Sequence, residues 1–161
     1  MENNQAKQEE FMREAIRLSL EKMQEGYGGP FGSVIVRNGE IIARGYNNVL
    51  HSHDPTAHAE MEAIRAATQA LGTHDLSDCE LYASSQPCPM CMGAIYWARL
   101  KKVYFGNRHE DAARIGFDDS FIYEELEKPL EKRRIPMVQL LPEEAKVAFE
   151  AWEKKPDKQR Y

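Results

Sequence analysis

"CELYASSQPCPMCMGAIYWARLKKVYFGN", residues 79–107, reads as a strand, a helix and a second strand in close succession. Residues 79–84 form a short apolar run that suits a buried strand, and residues 101–107 carry the β-branched and aromatic side chains of another. Between them Pro87 fits a first helical turn, where its missing N–H costs nothing, so a helix is expected over residues 87–100. Cys88 and Cys91 then lie one turn apart on one face. They sit at the positive end of the helix dipole, where both thiol pKa values are expected to fall.

The same alternation extends outward. Residues 57–72, "AHAEMEAIRAATQALG", read as a helix with Thr56 or the preceding aspartate as cap and Gly72 as stop. Two β-rich runs flank Asn38-Gly39, the strongest short hairpin signal, within "PFGSVIVRNGEIIARGYNN". Apolar residues at spacings near three and four predict an amphipathic helix over residues 7–25, ended by Gly26. A polar loop is expected over residues 48–56, a further strand over 135–141 and a terminal helix over 142–155. Helices interleaved with strands imply a three-layer α/β/α sandwich around a central mixed sheet, in a single domain spanning 1–161.

With 161 residues and 42% hydrophobic content, the chain is long enough to bury a real core. The N-terminal stretch lacks a cationic start followed by an apolar block, and no apolar run reaches membrane-spanning length; a soluble, cytoplasmic protein is the expectation. Three cysteines do not make a disulfide framework, which fits a reducing compartment. A net charge of −5 gives no general attraction to phosphate backbones, so a polynucleotide substrate is disfavoured.

Two thiols at this spacing serve either a redox pair or a metal site, and the metal reading needs further ligands. His58, in "HAE" at the start of its own helix, supplies one. One imidazole and two thiolates form a three-ligand zinc set whose fourth position stays open for water, the pattern of catalytic zinc. Glu60, two residues beyond the histidine, can accept a proton from that water and deliver it to a substrate. Cys79 opens a strand and is explained as a buried structural cysteine. Neither "HAE" nor "PCxxC" is specific alone; together, at two helix starts with a strand between, they form the zinc-deaminase signature.

On these motifs the sequence resembles the cytidine-deaminase-like zinc hydrolases, and within them the bacterial guanine deaminases. The likeness runs from "GGPFGSVIV" through "HDPTAHAE" and "PCPMCMGAIYWAR" to "GFDDSFIY", residues 116–123, which looks specific to the guanine-deaminase branch, and on to the final tyrosine. It implies the cytidine-deaminase-like fold, one zinc ion per subunit on His58, Cys88 and Cys91, and Glu60 as proton shuttle. It further implies attack of metal-generated hydroxide on C2 of guanine, giving xanthine and ammonia. Phe31 matches an aromatic that packs on the purine, with a place in the core of the first strand as the alternative. Asn47 matches a polar group that hydrogen-bonds the base, with loop-forming chemistry shared with Asn48 as the alternative. Asp119, an acceptor only, matches a reader of ring N–H donors. Tyr161 matches a terminal aromatic in a segment, about 142–161, that closes over an active site, in some members the partner's; a homodimer with exchanged C-terminal segments follows.

Other features have plainer readings. His51 and His53 belong to a polar loop, with His53 a candidate for the pocket mouth; His74 and His109 suggest no partner. Tyr96 and Trp97 are expected to pack their helix. Residues 123–134 read as a solvated face of mixed charge. Gln86 stands where many relatives carry glutamate, which bears on the substrate. The same chemistry on another amino-purine, guanosine, cytosine, an aminotriazine or tRNA adenosine remains open, as does a non-catalytic zinc-stabilised binding module.

Overall fold

The computed structural model describes residues 2–161, with side chains from residue 4 onward. In chain order it contains α1 (Glu2–Gln24), β1 (Gly32–Arg37), β2 (Glu40–Tyr46), α2 (Val49–Ser52), α3 (Ala59–Leu71), β3 (Cys79–Ser85), α4 (Pro89–Trp97), β4 (Lys102–Asn107), α5 (His109–Arg114), α6 (Ser120–Glu127), a short 3-10 turn (Leu130–Lys132) and α7 (Pro142–Lys154). Two compact units divide these elements, one ending at Asp119 and the other comprising Ser120–Tyr161.

The hairpin forms where the sequence predicts it. Asn38 and Gly39 both take positive φ, 52° and 76°, as a type I′ turn requires, and β1 pairs antiparallel with β2. Ile35 faces Ala43 and Val36 faces Ile41, so Ile42 is bulged out of the ladder. On its other side β1 pairs antiparallel with β3, and β3 pairs parallel with β4, giving the order β2-β1-β3-β4 in a mixed sheet. The parallel pair needs a crossover, which α4 supplies.

Alternation along the central strands builds two cores. Val34, Val36 and Tyr82 point one way and pack with Leu18, Phe11 and Met12 of α1. Ile35 and Leu81 point the other way and pack with Ala63 and Ala67 of α3 and Ile95 of α4. Each fully buried Ile35 or Leu81 side chain contributes about 1.5–3 kcal/mol of transfer free energy. The three-layer α/β/α arrangement with a mixed sheet is therefore observed.

Several boundaries differ from the sequence reading. Helix α1 begins at Glu2 rather than residue 7. Thr56 does not cap α3: its amide and hydroxyl both donate to the Asp54 carboxylate, at 2.8 and 2.7 Å, in a local turn, and His58 takes the cap position. Pro87 lies outside α4, which opens at Pro89 with Cys88 as cap and stops at Trp97, where Arg99 turns left-handed at φ 61°. The polar loop carries the one-turn helix α2. Residues 135–141 pair with no strand among the described residues, and Tyr96 and Trp97 are largely exposed.

The second unit is held by polar contacts more than by a core. Glu125 accepts the Arg134 backbone N–H at 2.7 Å and pairs with Lys128, while the Arg134 guanidinium lies 5.5 Å from the centre of the Phe121 ring. None of its residues is buried. No helix among the described residues is long and apolar enough to cross a membrane.

Candidate active site

A close approach between β2 and α3 places the first half of the site. A Cβ on Gly45 would lie 2.2 Å from the Ala59 carbonyl oxygen, so glycine lets the helix start rest on the strand. His58 then caps α3 in an extended conformation and Glu60 sits buried in its first turn. The second half comes from β3, which continues past Ser85 with the Gln86 N–H donating to the Asn107 carbonyl at 2.8 Å. Cys88 caps α4, Pro89 occupies its first turn and Cys91 follows on the inward face, buried.

The two helix starts converge. His58 Nδ1 is 3.5 Å from Cys88 Sγ and 3.6 Å from Cys91 Sγ, and all three ligand atoms lie within 4.8 Å of one another. Tetrahedral zinc with its usual bond lengths places nitrogen and sulfur about 3.5 Å apart. The donor set and its spacing therefore fit zinc with one coordination position left over. Cys79 is packed in the core beside Asp78, its thiol pushed up to about 11 by burial, and it is not part of the cluster.

Hydrogen bonding and burial divide the charges. Hydrogen bonding from Cys91, and then from His58, lowers the Cys88 thiol to about 4. Cys91 moves the opposite way, because its thiol proton is held in the hydrogen bond to Cys88 and burial adds to the cost. Of the two expected falls only that of Cys88 is found; the shared hydrogen bond sends Cys91 upward. His58 is raised by its hydrogen bond to Cys88, against burial. Burial raises Glu60, while hydrogen bonds with Cys91 and from the Ser33 hydroxyl, which donates to Oε1 at 3.3 Å, act in the other direction.

Three of the four residues matched to base recognition belong to the first unit. Phe31 meets Phe117 edge to face, ring centres 5.1 Å apart. Asn47 is buried, and its Oδ1 accepts the Gly29 and Val49 N–H groups at 3.3 and 3.2 Å, which fixes which end of the amide is the oxygen. A Cβ on Gly28 would lie 2.1 Å from that Oδ1. Asp119 lies within electrostatic reach of His58 and Cys88; burial raises its carboxyl, and His109 opposes the rise. Tyr161 belongs to the second unit and is exposed.

The remaining histidines separate clearly. His51 packs against Tyr27, ring centres 4.9 Å apart, and His53 is an exposed left-handed residue closing α2, outside the ligand cluster. His109 does have a partner: its Nδ1 is 3.2 Å from Asp119 Oδ1. Gln86 Oε1 in turn accepts the His109 backbone N–H at 3.3 Å. Sequence reasoning missed the roles of Ser33, His109 and Phe117. Ser33 and Phe117 fall inside the recognisable stretches "PFGSVIV" and "GFDDSF", whereas nothing local ties His109 to Asp119 ten residues on.

An α/β/α sandwich that sets a His-Cys-Cys cluster and a buried glutamate between two helix starts defines a zinc deaminase centre, and the chain belongs to the cytidine and deoxycytidylate deaminase zinc-binding region family, matched over residues 5–107. It is 54% identical to the guanine deaminase of Bacillus subtilis over 95% of this chain and 98% of that protein. The crystal structure of Bacillus subtilis guanine deaminase superposes with a TM-score of 0.93, again over 95% and 98% of the two chains. A guanine deaminase structure from Nitrosomonas europaea is 34% identical with a TM-score of 0.65, covering 68% of this chain and 63% of that one. The tRNA-specific adenosine deaminase of Bacillus subtilis is 46% identical over 60% of this chain and 59% of its own.

Proposed function

We propose that the protein is a zinc-dependent guanine deaminase that hydrolyses guanine to xanthine and ammonia. The observation that carries this reading is the buried Glu60 carboxylate beside the His58, Cys88 and Cys91 cluster, with Asp119 in electrostatic reach of the same ligands. The 54% identity to a guanine deaminase along nearly the whole chain supports guanine over other amino-heterocycles, whereas the likeness to tRNA-specific adenosine deaminases covers a smaller part.

Zinc held by His58, Cys88 and Cys91 would supply a Lewis acid that lowers the pKa of water at neutral pH. Glu60 takes a proton from the attacking water and delivers it to the ring nitrogen next to C2. Glu60 then carries the proton of the hydroxyl added at C2 to the exocyclic amine, so that the C2–N bond breaks, ammonia leaves and the C2 carbonyl of xanthine remains. Ser33 keeps the Glu60 carboxylate oriented through its hydroxyl. Phe31, braced by Phe117, offers an aromatic surface to the purine. Asn47 donates from Nδ2, and Asp119 accepts from ring N–H groups, rejecting a base that presents acceptors there.

The reading includes a cytoplasmic homodimer in which the segment from about 142 to 161, Tyr161 included, closes over the partner's active site. Support comes from large apolar side chains that stay exposed: Tyr96 in the first unit, and Ile135, Val138 and Phe149 in the second, each more than two-thirds exposed. An ammonia-release assay across guanine, guanosine, adenine, cytosine and cytidine, run beside Glu60→Gln, tests the function. Guanine turnover that vanishes in the variant is expected. Preference for another base would overturn the substrate, and no turnover of any would favour the binding module.

A further inference from the structure

We propose that His109 is the positioning residue for Asp119, donating from Nδ1 to its carboxylate, and that Gln86 anchors His109 to the strand end that leads to Cys88. This rests on the reading of Asp119 as the group that recognises the base. The carboxylate stands on the loop after the six-residue helix α5, just past Gly116 at φ 96°. A side chain there has no regular element to set its direction. Two contacts supply one. His109 Nδ1 lies 3.2 Å from Asp119 Oδ1, with both side chains at most a quarter exposed. An ionised carboxylate only accepts, so Nδ1 carries the proton and the tautomer is set.

Gln86 completes the tether. Its side-chain oxygen takes the His109 backbone N–H at 3.3 Å, and its own backbone N–H pairs with Asn107, so the start of α5 is fastened to the end of β3. Cys88 follows Gln86 by two residues. The base-reading carboxylate and the first thiolate are thereby referenced to one piece of backbone, through one hydrogen bond at each step. Positioning of this kind matters because small errors in the placement of a recognition group are costly in rate.

The test uses full-length His109→Ala, His109→Asn, Asp119→Ala and the His109→Ala/Asp119→Ala double variant, assayed on guanine with zinc content and melting temperature measured in each. Asparagine places its amide nitrogen near the position of Nδ1, so it restores the donor without the ring. Loss of one charge-assisted hydrogen bond predicts a kcat/KM for His109→Ala down by about tenfold to a hundredfold. The loss should fall mainly on KM, since Asp119 holds substrate in ground and transition states alike. Zinc stays at one per chain, His109→Asn recovers most of the activity, and the double variant is no worse than Asp119→Ala. Wild-type kinetics in His109→Ala beside an impaired Asp119→Ala would overturn the proposal, as would losses that multiply in the double variant or a failure of asparagine to rescue. An unimpaired Asp119→Ala would instead remove the base-reading assignment, and this role for His109 with it. Should His109→Ala not fold, the asparagine variant decides: activity without rescue of the KM overturns the proposal.

Discussion

Glu60 shows how much one side chain's surroundings contribute to its chemistry. Burial, followed by the charge of Cys88, pushes its carboxyl upward, and the Cys91 thiol, His58 and the Ser33 hydroxyl partly offset that cost. A group poised this way suits proton transfer rather than a permanent charge. Glu60→Gln keeps the shape and removes the proton carrier: zinc should remain at one per chain, and kcat should fall by about 10²–10⁴-fold. Undiminished deamination would take Glu60 out of the mechanism. Gln86 carries the other residue-scale question, because it stands two residues before Cys88 and its side chain reaches the start of α5. Its contact with α5 uses only the side-chain oxygen. Glutamate offers the same acceptor, so Gln86→Glu should retain guanine turnover, whereas Gln86→Leu should lower kcat/KM; equal losses in both would show that the side-chain oxygen is not what this position contributes.

At the scale of elements, the site depends on how closely α3 lies against β2. Gly45→Ala would drive a methyl into backbone atoms of Ala59 and Ala63 that cannot rotate away. Moving the helix start should cost about 1–3 kcal/mol of stability, as overpacking does. Because His58 and Glu60 ride on that helix, zinc affinity should fall with it; thermal melting and metal titration together check this. On the opposite face, Glu14 of α1 pairs with Arg17 at 2.6 Å and reaches Arg44 of β2 at 2.9 Å. Arg17, followed by Arg44, holds the Glu14 carboxyl from its ordinary 4.5 down to about 2, against burial. Its pKa is lower folded than unfolded, so the stabilisation is complete above about pH 4.5 and is lost as pH falls through 2. Glu14→Gln should therefore flatten the dependence of the urea midpoint on pH in that interval. An unchanged slope would assign the acid sensitivity elsewhere.

For the whole molecule the decisive quantity is the apolar surface that one chain leaves uncovered. No residue of Ser120–Tyr161 is buried, although the unit carries Ile135, Val138, Leu140, Phe149 and Trp152. Strand β4 ends the sheet, with Phe105 exposed beside it. If the terminal segment serves the partner's site, two defective chains can complement each other. Coexpressed Glu60→Gln and a chain lacking Tyr161 should yield mixed dimers in which the intact tail of the first closes the intact centre of the second. Recovery of activity above that of either parent is the expected result. Wild-type kinetics in the Tyr161 deletion alone would show that the tail has no part in turnover.

The sequence by itself determined the chemistry. His58, Glu60, Cys88 and Cys91 are legible because a metal set and its proton carrier occur as short motifs at helix starts, where spacing along the chain equals spacing in space. The hairpin at Asn38-Gly39 and the strand–helix–strand unit are legible for the same local reason. What only the tertiary structure decided depends on contacts between distant segments. Asp54 claimed Thr56 and left the cap of α3 to His58, the hydrogen bond between Cys91 and Cys88 moved the two thiols in opposite directions, and residues 135–141 found no strand to pair with among those described. His109 reached Asp119 because the turn after α5 folds the chain back on itself, and Gln86 joined them from another strand. Local pattern encodes which groups can react; long-range packing sets where they point, because orientation is a property of the neighbours a side chain meets and not of its own spacing.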